Sequence, residues 1–233
     1  MPVLLHDLCG ADPTRRFSPY CWRVRMALAH KGIAHETLPW RFTDRAAIAD
    51  CGAEKVPVLR HNGQAVFESQ RILEYLEDTW PDAPTLFAGA GGRATARFVA
   101  GWADLITIAS AARCVVSDIP RHLAPEDADY FTRTREARYG TTLTALTANR
   151  EQHVETFRRE LHPLRAALRS SPFLSGDNPG AADYIVFGGF QWARVVSDFP
   201  LLTQDDPVHA WRARLLDLHG GLARNIPHED RTA

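Results

Sequence analysis

The segment PDAPTLFAGAGGR (81–93), rich in proline, glycine and alanine, divides the chain into two stretches of different pattern. Before it, short apolar runs alternate with helical periodicity. After it, the spacing of apolar residues is helical throughout, with no hairpin signal and no repeat. A chain divided in this way folds as an α+β molecule in two parts. Residues 1–80 form a small βαβ-α-ββ-α domain, 81–93 a linker, and 94–233 an all-helical domain.

The elements of the first part are marked locally. VLLHDL (3–8) is a short apolar strand. SPYCWRVRMALAHKG follows as a helix. Ser18 is suited to the N-cap and Pro19 to the first helical position. Tyr20, Val24, Ala27 and Leu28 lie on one stripe, and Gly32 suits the left-handed cap at the end. A second strand is expected over 34–39 and a weak helix over 43–51. VPVLRH and QAVFE, joined by Asn62-Gly63, read as a hairpin, because Asn-Gly supplies the positive φ angles of a tight turn. Ser69 is expected to cap SQRILEYLEDTW, with Ile72, Leu73 and Leu76 inward and Pro81 ending it. Beyond the linker, helices are expected over 94–118, 125–148, 152–170, 180–197 and 207–219, with residues past about 225 frayed.

Charge narrows the partners. The 233 residues carry 27 Lys and Arg against 28 Asp and Glu, a net charge of −1. This balance gives no footprint for nucleic acid or an anionic membrane. Lys31 and Lys55 are the only lysines. No apolar run approaches the roughly 18–20 residues of a spanning helix. The start, MPVLLHDL, lacks a signal-peptide core, which predicts a cytoplasmic protein. Cys9, Cys21, Cys51 and Cys114 have no metal-ligand spacing and the histidines form no H-x-x-x-H pattern, so no metal is expected.

Three features of the first part point at one ligand. Ser18 opens a helix in Ser18-Pro19-Tyr20-Cys21, Val56 precedes Pro57 at a strand start, and Glu68-Ser69 opens another helix. Each also has an ordinary reading: a serine N-cap, a trans proline at a strand edge, a solvated acid near a helix dipole. Their order and spacing on βαβ-α-ββ-α favour a shared role.

With SPYCWRVRMAL, the VPVL strand start, ESQRILEYL and the later FLSGDNPGAADYIVFG, the chain resembles the glutathione transferases over almost its whole length. Within that superfamily it looks most like the bacterial β-etherase branch, on Ser18-Pro19-Tyr20 with Trp22-Arg23, WPDAPTLF and LLTQDDPVHAWRARLLDLHGGLAR. The resemblance implies a thioredoxin-like first domain, glutathione as co-substrate, a small hydrophobic or aromatic electrophile as second substrate, and a homodimer. It departs at Gly180, where the family usually has a Ser, Thr or Asn cap three residues before Asp183.

The implied chemistry balances energetically. A free thiol titrates near 8.5, and making it mostly ionised at pH 7 takes about 2 units, or about 2.7 kcal/mol. A hydroxyl hydrogen bond to a charged group supplies about 1.5–3 kcal/mol, and a helix N-terminus about 0.3–1 kcal/mol. Ser18 and its helix are therefore about sufficient. An extended peptide can pair with the backbone of Val56, with Pro57 keeping that edge open. The γ-glutamyl carboxylate suits Ser69 and the helix amides behind it, and its ammonium suits Glu68. Lys55, Arg41 and Arg45 are candidates for the glycine carboxylate. Phe17, Tyr20, Phe98, Trp102 and Arg113 are candidates for the second-substrate wall. Two alternatives stay open: a thiol–disulfide reductase acting through Cys21, the remnant of an S-x-x-C spacing, and a non-catalytic binder of aromatic ligands.

Overall fold

The computed structural model describes residues 2–229. β1 (Val3–Leu8) is central and buried on both faces, which is why it reads as an unbroken apolar run. It pairs in parallel with β2 (His35–Trp40) and antiparallel with β3 (Val58–His61), which pairs antiparallel with β4 (Gln64–Phe67). The strand order is β2-β1-β3-β4. The crossover from β1 to β2 is α1 (Pro19–His30). Gly32 ends it at φ 64°, and Asn62 and Gly63 turn the hairpin at φ 50° and 79°. The predicted 43–51 helix shrinks to one turn, α2 (Ala46–Ala49). α3 (Ser69–Thr79) closes the first part with Ile72, Leu73 and Leu76 buried.

The second part departs from expectation in its breaks. α4 (Ala90–Trp102) begins four residues early, inside the segment read as a linker. It runs through a π-helical turn, Ala103–Thr107, into α5 (Ile108–Val115). The stretch Ala90–Asp118 is long and apolar enough by composition to cross a membrane, although Asp104 and Arg113 interrupt its apolar runs; half of its most apolar window is buried within the protein. The 125–148 helix divides into α6 (Pro125–Tyr139) and α7 (Leu143–Thr147), because Gly140 takes a left-handed cap. The 152–170 helix divides into α8 (Arg150–Glu160) and α9 (His162–Ala167), with Pro163 in the first turn of α9. α10 (Ala181–Val196) is buried along its whole length. α11 (Pro207–Gly221) loses helical geometry at Leu218, His219 and Gly220.

The two parts meet where α1 crosses α10. A Cβ on Gly188 would lie 2.2 Å from the Pro19 carbonyl oxygen, so only glycine permits this approach. Glycine at position 180 has a similar origin: a Cβ there would lie 2.7 Å from Ser175 Oγ and 2.9 Å from the Leu86 oxygen. Capping passes to Asp183, which accepts from the backbone N–H of Leu174, Ser175 and Gly180 and from Trp211 Nε1. The end expected to fray is tied down as far as it is described. Glu229 N–H donates to the Arg194 carbonyl at 3.1 Å, and its carboxylate pairs with Arg15 at 3.0 Å. Residues 230–233 lie outside the described residues.

Candidate active site

Ser18 sits at the N-cap of α1 in extended conformation, 3% exposed, on the wall of a cavity of about 780 Å³. Its Oγ accepts the Cys21 backbone N–H at 3.2 Å. A hydroxyl has one donor and two acceptor sites. With the helix amide on the oxygen, the O–H can be donated to a group in the cavity, at the positive end of the helix dipole. The approach to Ser18 is braced beneath. Trp22 Nε1 donates to the Arg16 carbonyl at 2.9 Å, and Arg16 and Arg25 flank the buried Asp7 carboxylate at 3.5 and 3.4 Å.

The same cavity is lined by Lys55, Val56, Pro57, Glu68 and Ser69. The Val56–Pro57 peptide is cis, directly before β3. Ser69 is not the cap of α3 but its first helical residue. Glu68 holds the cap position at φ 67°, and its side chain makes no capping bond, so its carboxylate is available to face Lys55 at 3.6 Å. Both ends of that pair are more than half exposed, where such a contact contributes little. Ser69 is 6% exposed at the N-terminus of α3. Of the other cations, Arg45 lines the cavity and donates to the Tyr130 hydroxyl at 2.8 Å. Arg41 does not line it: it is held by Glu126 at 2.9 Å and Asp127 at 3.6 Å on α6.

The opposite wall is aromatic. Phe42, which sequence reasoning missed, is its hub, with ring centroids 6.3 Å from Phe17, 6.2 Å from Tyr130 and 5.4 Å from Phe131. Ile108 and Ala112 of α5, Arg135 of α6 and Trp192 of α10 complete it. Phe17 and Tyr20 line the cavity as expected. Burial and the Asp104 carboxylate raise the Tyr20 pKa, so its hydroxyl stays protonated. Asp104, within the π-helical turn, reaches back to pair with the buried Arg23 of α1. Three expected residues lie elsewhere. Phe98 is 78% exposed on the outer face of α4, Trp102 packs half-buried against the core, and Arg113 lines a separate cavity of about 180 Å³ with Leu105, His153 and Glu160.

Cys21 is fully buried, and burial followed by the Asp7 charge pushes its thiol well above the ordinary range. That is the reverse of what a nucleophilic thiolate requires, and it argues against the reductase alternative. Cys114 is pushed up to about 11, again by burial. Among the described residues no group of three His, Cys, Asp or Glu side chains is placed to hold a metal ion.

Residues 17–79 match the family model for the glutathione S-transferase N-terminal domain, and residues 94–222 the model for the C-terminal domain. Among characterised relatives, glutathione S-transferase U26 of Arabidopsis thaliana is 26% identical over 209 residues, covering 86% of this chain and 81% of its own. Among solved structures, glutathione transferase GSTFuA3 from Phanerochaete chrysosporium superposes with a TM-score of 0.83 at 23% identity, covering 92% of this chain and 96% of that one. The glutathione S-transferase CsGST63524 of Ceriporiopsis subvermispora, solved in complex with glutathione, gives 0.83 at 23% identity over 94% and 96%. The fold is accordingly a thioredoxin-like domain with a mixed four-stranded sheet followed by a helical domain.

Proposed function

Because the chain belongs to the glutathione S-transferase family, we propose that it activates glutathione at Ser18 and transfers it to an aromatic electrophile. The observation that carries this reading is the Ser18 hydroxyl at the N-terminus of α1, in one cavity with Val56, Glu68 and Ser69. Glutathione is the co-substrate. Its backbone pairs with Val56 as an added strand. Its γ-glutamyl carboxylate sits on Ser69 and the first amides of α3, and its ammonium on Glu68. Of the candidate cations for the glycine carboxylate, Lys55 and Arg45 line the cavity.

With the thiolate held at Ser18, sulfur attacks an electrophilic carbon of the second substrate. A C–S bond forms as the bond to the leaving group breaks. On an aryl ether, the chemistry of the branch the sequence resembles, that leaving group is a phenolate, which takes a proton from water. Phe17, Phe42 and Tyr130 offer ring faces for such an acceptor. The exposed Phe98 of α4 and Leu105 of the π-helical turn suit a homodimer contact. The four free cysteines suit a reducing cytoplasm.

The test is a pair of variants assayed for glutathione conjugation of aryl ethers and aryl halides. Ser18→Ala lowers kcat/KM at pH 7 by about tenfold, the fall in thiolate fraction when the serine's share of the roughly 2-unit shift is lost, whereas Cys21→Ser retains conjugation. Loss of activity only in the Cys21 variant would assign the chemistry to that thiol. Binding of aromatics without any glutathione adduct would leave a ligand carrier.

A further inference from the structure

Arg135 projects from α6 into the cavity, half-buried, with its guanidinium 5.6 Å over the Phe42 ring and 4.9 Å over the Phe131 ring. Its neighbour one turn on, Arg138, lines the same cavity. Several other buried or half-buried arginines have carboxylates: Arg23 has Asp104, Arg25 has Asp7, and Arg165 has Asp206. Among the described residues no carboxylate pairs with Arg135 or Arg138. Arg135 Nη1 donates to Thr134 Oγ1 at 3.0 Å, and the charged group acting most strongly on Arg135 is the repelling Arg138. Arg135 in its aromatic recess, with the exposed Arg138 repelling it, carries a desolvation cost that an anion placed between them would offset.

We propose that the second substrate carries a carboxylate on its aromatic ring, and that Arg135, supported by Arg138, receives it. The inference rests on reading this cavity as that of a glutathione transferase. The geometry separates the cation from the peptide site. From the Ser18 side Arg135 is reached through Phe17 and then Phe42, ring to ring 6.3 Å and guanidinium to ring 5.6 Å. An acceptor ring on Phe42 thus has sulfur at one end and the guanidinium at the other. Arg135 selects the substrate and holds its far end, and it is a specificity-determining residue with no part in bond making.

The experiment is calorimetric binding to the full-length protein saturated with S-methylglutathione, which fills the peptide site and carries no thiol. The probes are 3-nitrobenzoate and its neutral counterpart 3-nitrobenzamide. The wild type binds the benzoate about tenfold more tightly than the benzamide. Arg135→Gln brings the two within twofold, Arg135→Lys keeps part of the preference, and affinity for S-methylglutathione is the same in all three. Equal or undetectable binding of the two aromatics to the wild type overturns the proposal, as does a preference that survives in Arg135→Gln. If Arg135→Gln weakens S-methylglutathione instead, the cation belongs to the peptide site and the proposal also falls. Failure of S-methylglutathione to bind the wild type would defeat the transferase reading, while the benzoate-to-benzamide ratio would still decide the role of Arg135.

Discussion

The two walls of the cavity are built on opposite plans. The wall proposed for the peptide comes from the ends of elements in the first domain: Ser18 at the start of α1, Val56 before β3, Glu68 and Ser69 at the start of α3. The aromatic wall comes mostly from side chains along helices in the second, Ile108 and Ala112 on α5, Arg135 on α6 and Trp192 on α10, joined by Phe42. A tripeptide presents charges and amides, which need unpaired backbone donors, and those occur at helix ends. An aromatic acceptor needs area, which helix faces supply. The difference implies separable functions, and perturbations should respect the division.

The largest effect is expected at the joint shared by both walls. Gly188→Val drives a side chain into the Pro19 carbonyl and lowers folding stability by about 3 kcal/mol, read by denaturant unfolding, with affinity lost for both substrates together. Ser69→Ala comes next. It raises the glutathione KM about tenfold by removing a hydrogen bond to a carboxylate, and the acceptor KM stays within twofold. Ile108→Ala does the reverse, raising the acceptor KM about fivefold through lost apolar contact. Equal changes in both KM values for either variant would break the division.

The smallest effect is one of pH and tests the seam. His30 joins the two domains through Tyr184 Oη at 2.8 Å and the Thr85 carbonyl at 3.1 Å. Burial first, and then the Lys31 charge, lowers its pKa from 6.5. The unfolded chain therefore takes up this proton before the folded one. The stability that neutral His30 contributes is fully present above about pH 6.5 and is lost as pH falls through the folded value. Denaturant midpoints measured from pH 7.5 to 5.5 decline, and His30→Gln flattens the decline. An unchanged slope would remove His30 from the seam.

The same division explains what was legible in the sequence. Ser18 with Pro19, Gly32 and Asn62-Gly63 act through their own neighbours, so type and spacing were enough to place them. Ser69 shifted by one position because Glu68 takes a positive φ that composition does not announce. Arg113 was misread for a geometric reason, whereas Phe98 and Trp102 lie before the π-helical turn, on α4. The π-helical turn at Ala103–Thr107 inserts an extra residue and rotates all that follows by about 100°. Arg113, a candidate for the aromatic wall, lies beyond the turn and lines the separate cavity, while Ile108 and Ala112 come round to the main one. Arg41 faces α6 because Glu126 and Asp127, some 85 residues on, offer it two carboxylates. Arg135 could not have been singled out from the sequence, since its meaning lies in what is missing around it.

The role of Ser18 is tested most directly by titrating the thiol of bound glutathione through its thiolate absorbance, in the wild type and in Ser18→Ala. The wild-type complex should ionise about 2 units below the free thiol, and the variant should bind glutathione with its thiol back within about 1 unit of the free value near 8.5. A variant that binds glutathione with the wild-type thiol pKa would contradict the account.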